Sequence, residues 1–354
     1  MPQIEHALPA DVTPLEGAKQ GVYRPGLVTT RTDYGVGLSR VWSEYNLRSY
    51  EWTPSLFTST SDDLEELEWF LHHVGVGSPF WVVEKLTGKH PRLVLSPLGD
   101  GSADTIALPI SGATTGLAVF AGGVPTGAYT QHTTANLLTN SEAECSDQSE
   151  WSDPNSTLAN RTGVCCDGNE AVKVTPDGAN NPVVTAVTST AGLTAANTFT
   201  GMAAILNTSA TTRQWRVSIN WRTTADADIS TTDGTLTNCP QGDWTIITVS
   251  GTSPALTAKA RLKITRNQDT DTGVFYFDCC AINPGEYDRW HLPSRAPNLI
   301  EFTTAPTVNH RVTAYAEGIR MARCRLDQTQ VGWTLLSPGH TRPGRLVMHE
   351  QVEI

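Results

Sequence analysis

The sequence lacks most of the features that would assign a function at sight. No stretch approaches the ~18 consecutive apolar residues of a membrane span, so no span is expected. Gly-x-Ser-x-Gly, His-Glu-x-x-His and Gly-x-x-x-x-Gly-Lys are all absent, which removes the common hydrolase, metalloprotease and nucleotide-binding signatures. With no Cys-x-x-Cys, a zinc site has little support. Basic residues are scarce, 25 Lys and Arg against 36 Asp and Glu, and the formal charge is −11. Phosphate backbones and anionic lipid are therefore poor long-range partners, and no Lys/Arg run interleaved with aromatics offsets this. Nucleic-acid recognition is not expected. The opening Met-Pro-Gln-Ile-Glu-His has neither a basic start nor an apolar core, so it does not read as a secretory signal. The expectation is a protein made in the cytosol that stays there or leaves by lysis.

What is present points to β-structure. The 354 residues are 39% apolar and 17% charged, with 29 Gly and 21 Pro, the profile of an ordered chain with many short strands and turns. That length predicts two or three domains. Period-two alternation marks strands around 27–30, 38–42, 50–53, 80–83, 92–95, 117–120 and 128–130, and again at 298–302, 311–317, 332–336 and 345–348. Pro9, Pro14 and Pro25 make residues 1–26 an extended arm. One helix is expected over about 61–74. Thr60 or Ser61 caps it, acids fill its first turn, and Leu64, Leu67, Phe70 and Leu71 share a face before Gly75. His72 and His73 read as its solvated last turn.

The middle of the chain is written differently. Between Asn136 and Ile282 the text is rich in Thr, Ala, Asn and Gly, while the flanks carry more Leu, Trp, Arg and Pro. Its clearest strand is 214–222. There Trp215, Val217, Ile219 and Trp221 face one way, and Arg216, Ser218, Asn220 and Arg222 the other. Runs at 244–249 and 260–265 repeat the style, with turns at β-sandwich spacing. The expected organisation is a discontinuous carrier, 1–135 with 288–354, into which a sandwich, 136–287, is inserted. Trp215, Trp221 and Trp244 lie on the apolar parity and read as core. Asp226, Asp228, Asp233, Asp269 and Asp271 sit in turn text and read as turn formers before catalytic acids. No catalytic constellation is visible.

Six of the seven cysteines, Cys145, Cys165, Cys166, Cys239, Cys279 and Cys280, fall in this middle segment. Cys165-Cys166 and Cys279-Cys280 lie in strand-like text, where neighbours point to opposite faces. One member of each doublet either meets the other across the sheets as a disulfide or packs as a small apolar side chain. The pairing is open at this stage.

Two resemblances follow. The middle segment, with Asn136-Leu-Leu-Thr-Asn140, Glu144, Trp151, Gly242-Asp-Trp244, Thr252-Ser-Pro254 and Tyr276-Phe-Asp278, resembles jelly-roll carbohydrate-binding modules. The flanks, with Trp69-Phe70-Leu71, Gly77-Ser-Pro-Phe80-Trp81, Phe120-Ala-Gly-Gly-Val124 and Ile300-Glu-Phe-Thr-Thr-Ala-Pro306, resemble phage distal-tail or minor-tail proteins. These likenesses imply a mostly-β fold: a split β-sandwich tail-tip carrier with one α-helix, plus an inserted β-jelly-roll. They imply a homohexameric or trimeric ring that contacts the tail tube, other tail-tip proteins and host cell-wall glycan, in the virion tail tip. The chain would then be no enzyme and require no cofactor.

In such modules an aromatic platform stacks against sugar C–H faces while polar side chains read hydroxyls. Trp151 or Tyr276 would be the platform and Arg216, Ser218, Asn220 and Arg222 the polar set, unless that face is merely a solvated sheet. Glu144 and Asp278 match positions that hold structural calcium in many such modules; otherwise they are a surface acid and a strand-end acid. The rival reading from another class is a cell-wall polysaccharide depolymerase, or an accessory protein of a secreted hydrolase.

Overall fold

A computed structural model describes residues 3–6, 79–96, 105–168, 170–267, 272–304, 306–307 and 312–326, Phe70 and Val74, and the outlying strands at 21–25, 28–33, 39–44, 48–52, 333–337, 340–343 and 346–350. The chain is mostly β, as the alternation predicted. By compactness it forms two units, Met1–His6 with Pro91–Ala316 and Ala7–His90 with Glu317–Ile354.

In chain order the strands begin with β1 (Gln3–Ile4), β2 (Gly21–Pro25), β3 (Val28–Asp33), β4 (Ser39–Glu44), β5 (Arg48–Trp52) and β6 (Phe80–Ser96). They continue with β7 (Thr105–Leu108), β8 (Ile110–Ala121), β9 (Val124–Thr126) and β10 (Tyr129–His132). A short helix α1 (Asn140–Ala143) opens the jelly roll. Its strands are β11 (Trp151–Ser152), β12 (Ser156–Thr162), β13 (Glu170–Pro176), β14 (Val183–Ala186), β15 (Thr190–Ala191), β16 (Thr198–Asn207), β17 (Arg213–Arg222), β18 (Asp228–Asp233), β19 (Thr237–Cys239), β20 (Trp244–Thr252), β21 (Lys259–Arg266) and β22 (Phe275–Pro284). The chain closes with β23 (Arg289–Trp290), β24 (Asn298–Phe302), β25 (Val312–Leu326), β26 (Trp333–Ser337), β27 (His340–Pro343) and β28 (Leu346–Glu350).

In the second unit β3 pairs β4, and β5 lies between β2 and β28, all antiparallel. Phe70 and Phe80 meet edge to face at 5.0 Å. The expected helix is seen at its end alone: Phe70 is helical, and the Val74 amide donates to the Phe70 carbonyl at 2.9 Å. The remainder of 61–74, with His72 and His73, lies outside the described residues, as do Asp269 and Asp271.

The first unit contains the jelly roll. One sheet runs β11-β14-β21-β17-β18, with β15 added on β21 and β19 on β17. The other runs β12-β13-β22-β16-β20. Between them lies one apolar core that includes Trp151, Trp215, Val217, Ile219, Trp221, Leu262, Ile264, Phe275 and Phe277. Trp215 and Trp221 are fully buried, as their parity required. A separate core of Leu93, Leu108, Ile110, Val119, Ile300, Phe302 and Val312 draws on β6, β7, β8, β24 and β25, with Tyr129 of β10 at its edge. Both expected junctions, 135/136 and 287/288, fall inside this unit, where Ala135 and Tyr287 pack with Ala296 and Leu299 in a small apolar cluster of their own.

Asn136 joins the ends of the jelly roll. Its buried amide donates to the Cys280 and His291 carbonyls at 3.0 Å each, and its oxygen accepts from the Leu138 and Ile282 amides. Incoming and outgoing chain are thus tied at one residue. The start of the arm is a docked edge: β1 lies parallel to β23, and buried Glu5 pairs with Arg289 at 2.8 Å. Helix α1 was not expected. Its signal is in the sequence, because Thr139 and Glu142 form a reciprocal capping box.

Candidate functional site

Strand β17 places Arg216, Ser218, Asn220 and Arg222 on the outer face of the seven-stranded sheet. Register carries the same face onto β21 as Lys259, Arg261, Lys263 and Thr265, and onto β18 as Thr231 and Asp233. Arg216 meets Asp233 at 3.1 Å, and Ser218, itself fully buried, donates to the same carboxylate at 2.8 Å. Asn220 donates to Thr231 Oγ1 at 3.2 Å. Arg222 donates through Nε to Asp226 at 2.8 Å, and through Nη1 to Asp228 at 2.5 Å and Asn220 at 3.0 Å. Arg261 reaches Asp226 at 2.6 Å and Ser189 at 2.7 Å.

Asp226 is the joint of this lattice, in left-handed backbone at φ 64°. The Ser189 hydroxyl above all, with help from Arg222 and Arg261, holds its carboxyl below the usual carboxylate range against the opposing effect of desolvation. An acid so fixed stays ionised and makes a poor proton donor. The four predicted polar residues do come together. They donate, however, to the adjoining hairpin, Arg216, Ser218 and Arg222 to its carboxylates and Asn220 to Thr231, so the face is a polar lattice pinning that hairpin to β17 and β21.

The aromatic half of the prediction divides. Trp151 is buried in the main core and meets Phe277 edge to face at 4.9 Å, so it offers no open face for stacking. Tyr276 is half-buried on the outer face of the opposite, five-stranded sheet, away from the arginine lattice. Register there builds a row across five strands: Ala159, Lys173, Tyr276, Leu206 and Trp244 are successive cross-strand partners. All five are half-buried. With strands about 4.8 Å apart, Tyr276 and Trp244 stand about 10 Å from each other with Leu206 between them.

Trp244 was expected in the main core. It instead packs at the margin of a second apolar cluster on the outer side of this sheet, formed by Met202, Ala204, Cys279, Ala281 and Trp290 with Ile4, Cys166, Ile246 and Leu292. Period-two reading misplaced it because β20 is apolar on both sides. Ile247 and Val249 point inward, while Trp244 and Ile246 point outward.

The predicted calcium pair lies at the base of the sandwich. Asp278 is fully buried, and its carboxylate accepts the amides of Cys166 at 2.6 Å, Asp167 at 3.1 Å and Cys279 at 2.6 Å. Burial pushes its carboxyl well above the usual range, against the pull of those three amides. Glu144 borders the same loop, its Oε1 2.8 Å from where a Cβ on Gly168 would stand. The donor set is a poor fit to calcium: three N–H dipoles aim at Asp278, where a hard cation needs oxygens. Among the described residues no group of three or more His, Cys, Asp or Glu is placed to hold a metal.

No family model matches the chain, and no curated protein matches it. Among solved structures, the CBM22-2 xylan-binding domain from Paenibacillus barcinonensis is similar over 44% of this chain and 98% of that domain, at 16% identity and a TM-score of 0.33. The CBM22-1–GH10 modules of a Clostridium thermocellum endo-1,4-beta-D-xylanase are similar at 13% identity and a TM-score of 0.34. Tailspike protein 4 of bacteriophage CBA120, in its enzymatically active domain, is similar at 12% identity and a TM-score of 0.34. The matched region is 42% of this chain in both cases, but 28% of the xylanase chain and 21% of the tailspike chain.

Proposed function

We propose that this chain is a non-catalytic binding protein whose jelly roll holds host cell-wall glycan on the outer face of its five-stranded sheet. One observation carries this reading: the cross-strand row Trp244–Leu206–Tyr276–Lys173 sets two aromatic side chains and a cation along one line. Apolar rings stack on sugar C–H faces, and a cation at the end of the row takes a hydroxyl or an acidic substituent. The outward packing of Trp244 on the second apolar cluster supports a fixed platform. The arginine lattice has a structural role in this reading. It holds the sheet that backs the site.

The likeness of the flanking sequence to distal-tail proteins supports the wider role. The carrier would assemble with itself into a homohexameric or trimeric ring at the virion tail tip, contacting the tail tube and neighbouring tail-tip proteins. Repeated weak sites on such a ring would convert a shallow contact into firm, reversible adhesion.

The test is a glycan array probed with the full chain, followed by titration of any hit. Tyr276→Ala and Trp244→Ala are each expected to weaken binding about tenfold, a loss of about 1.4 kcal/mol. Arg216→Ala should leave affinity unchanged. Binding that survives both aromatic variants overturns the site, and release of new reducing ends from wall polysaccharide overturns the non-catalytic reading in favour of a depolymerase. Negative-stain microscopy tests the ring: a monomer at micromolar concentration overturns it.

A further inference from the structure

At the base of the jelly roll four thiols meet as two pairs. Cys145, just after helix α1, and Cys280, in the last strand, are fully buried with their sulfurs 3.7 Å apart. On the other side of the five-stranded sheet Cys166 packs with Cys279 in the second apolar cluster, thiol against thiol. A β-bulge makes both contacts possible. Asp278 pairs with Ala204 and Ala281 with Met202, so Cys279 and Cys280 together oppose Ala203. The extra residue turns Cys279 to the outer cluster and Cys280 to the main core.

Two further observations mark the place. Among the described residues five non-glycines have positive φ, and two of them are Cys145 at 52° and Cys279 at 50°, one from each pair. Such backbone is held only where the surroundings over-determine it. The Asp278 carboxylate binds the amides of Cys166 and Cys279 together, which holds the 166 loop against the bulge.

We propose that Cys166–Cys279 and Cys145–Cys280 are two dithiol–disulfide couples forming an oxidation-dependent staple between the start and the end of the jelly roll. The oxidant is a small-molecule disulfide such as oxidised glutathione. The half-buried Cys166, as thiolate, attacks one glutathione sulfur and expels the other as a thiolate. Cys279 then attacks the Cys166 sulfur of the mixed disulfide, forming the protein S–S bond and releasing the second glutathione. Two electrons pass to the oxidant, and the two thiol protons end on two reduced glutathiones. Cys145 and Cys280 react by the same exchange once the base opens locally, so their couple forms more slowly. The second staple joins residues 135 apart, so it closes almost the whole jelly roll into one loop.

The experiment uses the full chain, purified in reductant and incubated with oxidised glutathione at pH 8, with a reduced control. Intact mass should fall by about 2 Da for each couple, the first before the second. Peptide mapping after alkylation should return Cys166–Cys279 and Cys145–Cys280, with Cys165, Cys239 and Cys324 alkylated. Tm should rise by about 5–15 °C and fall back on adding dithiothreitol. Cys166→Ser, at a half-buried site, should lose the fast couple and keep the slow one. Full alkylation of all the cysteines after prolonged oxidation overturns the proposal, as does a dominant Cys165–Cys166 or scrambled pairing.

Discussion

Replacing Asp226 separates the two faces of the jelly roll, because the residue sits at the centre of one and far from the other. Asp226→Asn keeps a side chain that tolerates left-handed backbone but removes the charge shared by Arg222 and Arg261. Charge-assisted hydrogen bonds contribute about 1.5–3 kcal/mol each when desolvated. Here the acid is 33% exposed and the arginines 14% and 23%, so solvent screening brings the net loss to about 1 kcal/mol. Asp226→Ala adds the left-handed cost of a Cβ residue, about 1 kcal/mol more. Asp226→Gly loses the charge without that strain. Urea denaturation at pH 7 should therefore rank Asn and Gly alike and Ala lowest, with Tm falling about 2–4 °C per kcal/mol. Because the folded carboxyl titrates below its unfolded value near 3.9, its contribution is complete above that value. It disappears as pH falls through the lower folded value, and wild type and Asp226→Asn should converge there. All three variants should bind glycan like wild type. If Asp226→Asn kept full stability yet lost the glycan, the arginine face would be the binding site and the lattice argument would fail.

Other perturbations give equally direct readings. Asn136→Ala removes four buried hydrogen bonds at the junction and should cost about 3 kcal/mol or more in denaturant titration. Trp221→Phe loses the 2.8 Å bond from its indole N–H to Thr232 Oγ1 and should cost about 1–2 kcal/mol. Trp151→Phe should cost less, since the Trp151 indole N–H is buried with no hydrogen-bond partner among the described residues, and it should leave glycan affinity unchanged. Calcium and EDTA should leave Tm alike; a rise with calcium would show that the three amides around Asp278 give way to an ion.

How much the sequence disclosed depended on whether one periodicity governed a strand. Strand β17 is strictly alternating, so its core tryptophans and its polar face were both readable from residues alone. Strands β20 and β22 are apolar on both sides, because the outer face of their sheet is covered in part by β1, β23 and the second apolar cluster. Alternation carries no information there, which is why Trp244 read as main core and the cysteine doublet of β22 stayed open. Trp151 misled for another reason. It lies in a two-residue strand beside a one-turn helix, too short for any period to show which way its ring points. The partners of Arg216 and Arg222 were invisible because Asp226, Asp228 and Asp233 read as turn formers, whereas Asp228 and Asp233 begin and end β18 and face the arginines of β17.

The row on the five-stranded sheet invites a second explanation, a contact between copies of the chain, and size argues against it. Trp244, Leu206 and Tyr276 span about 10 Å across three strands, and Lys173 follows on the next. A stable protein interface buries about 800 Å² on each partner and centres on a wide, fully desolvated patch. A single line of half-buried side chains, one strand from a lysine and beside a cluster already filled by Trp290, is too narrow for that and suits a slender, partly hydrated ligand. Leu206→Glu puts a charge in the middle of the line without touching the main core, since Leu206 faces outward. Glycan binding should be abolished while the sedimentation coefficient stays unchanged. A variant that dissociates a wild-type oligomer and keeps its glycan would assign the row to a subunit contact instead.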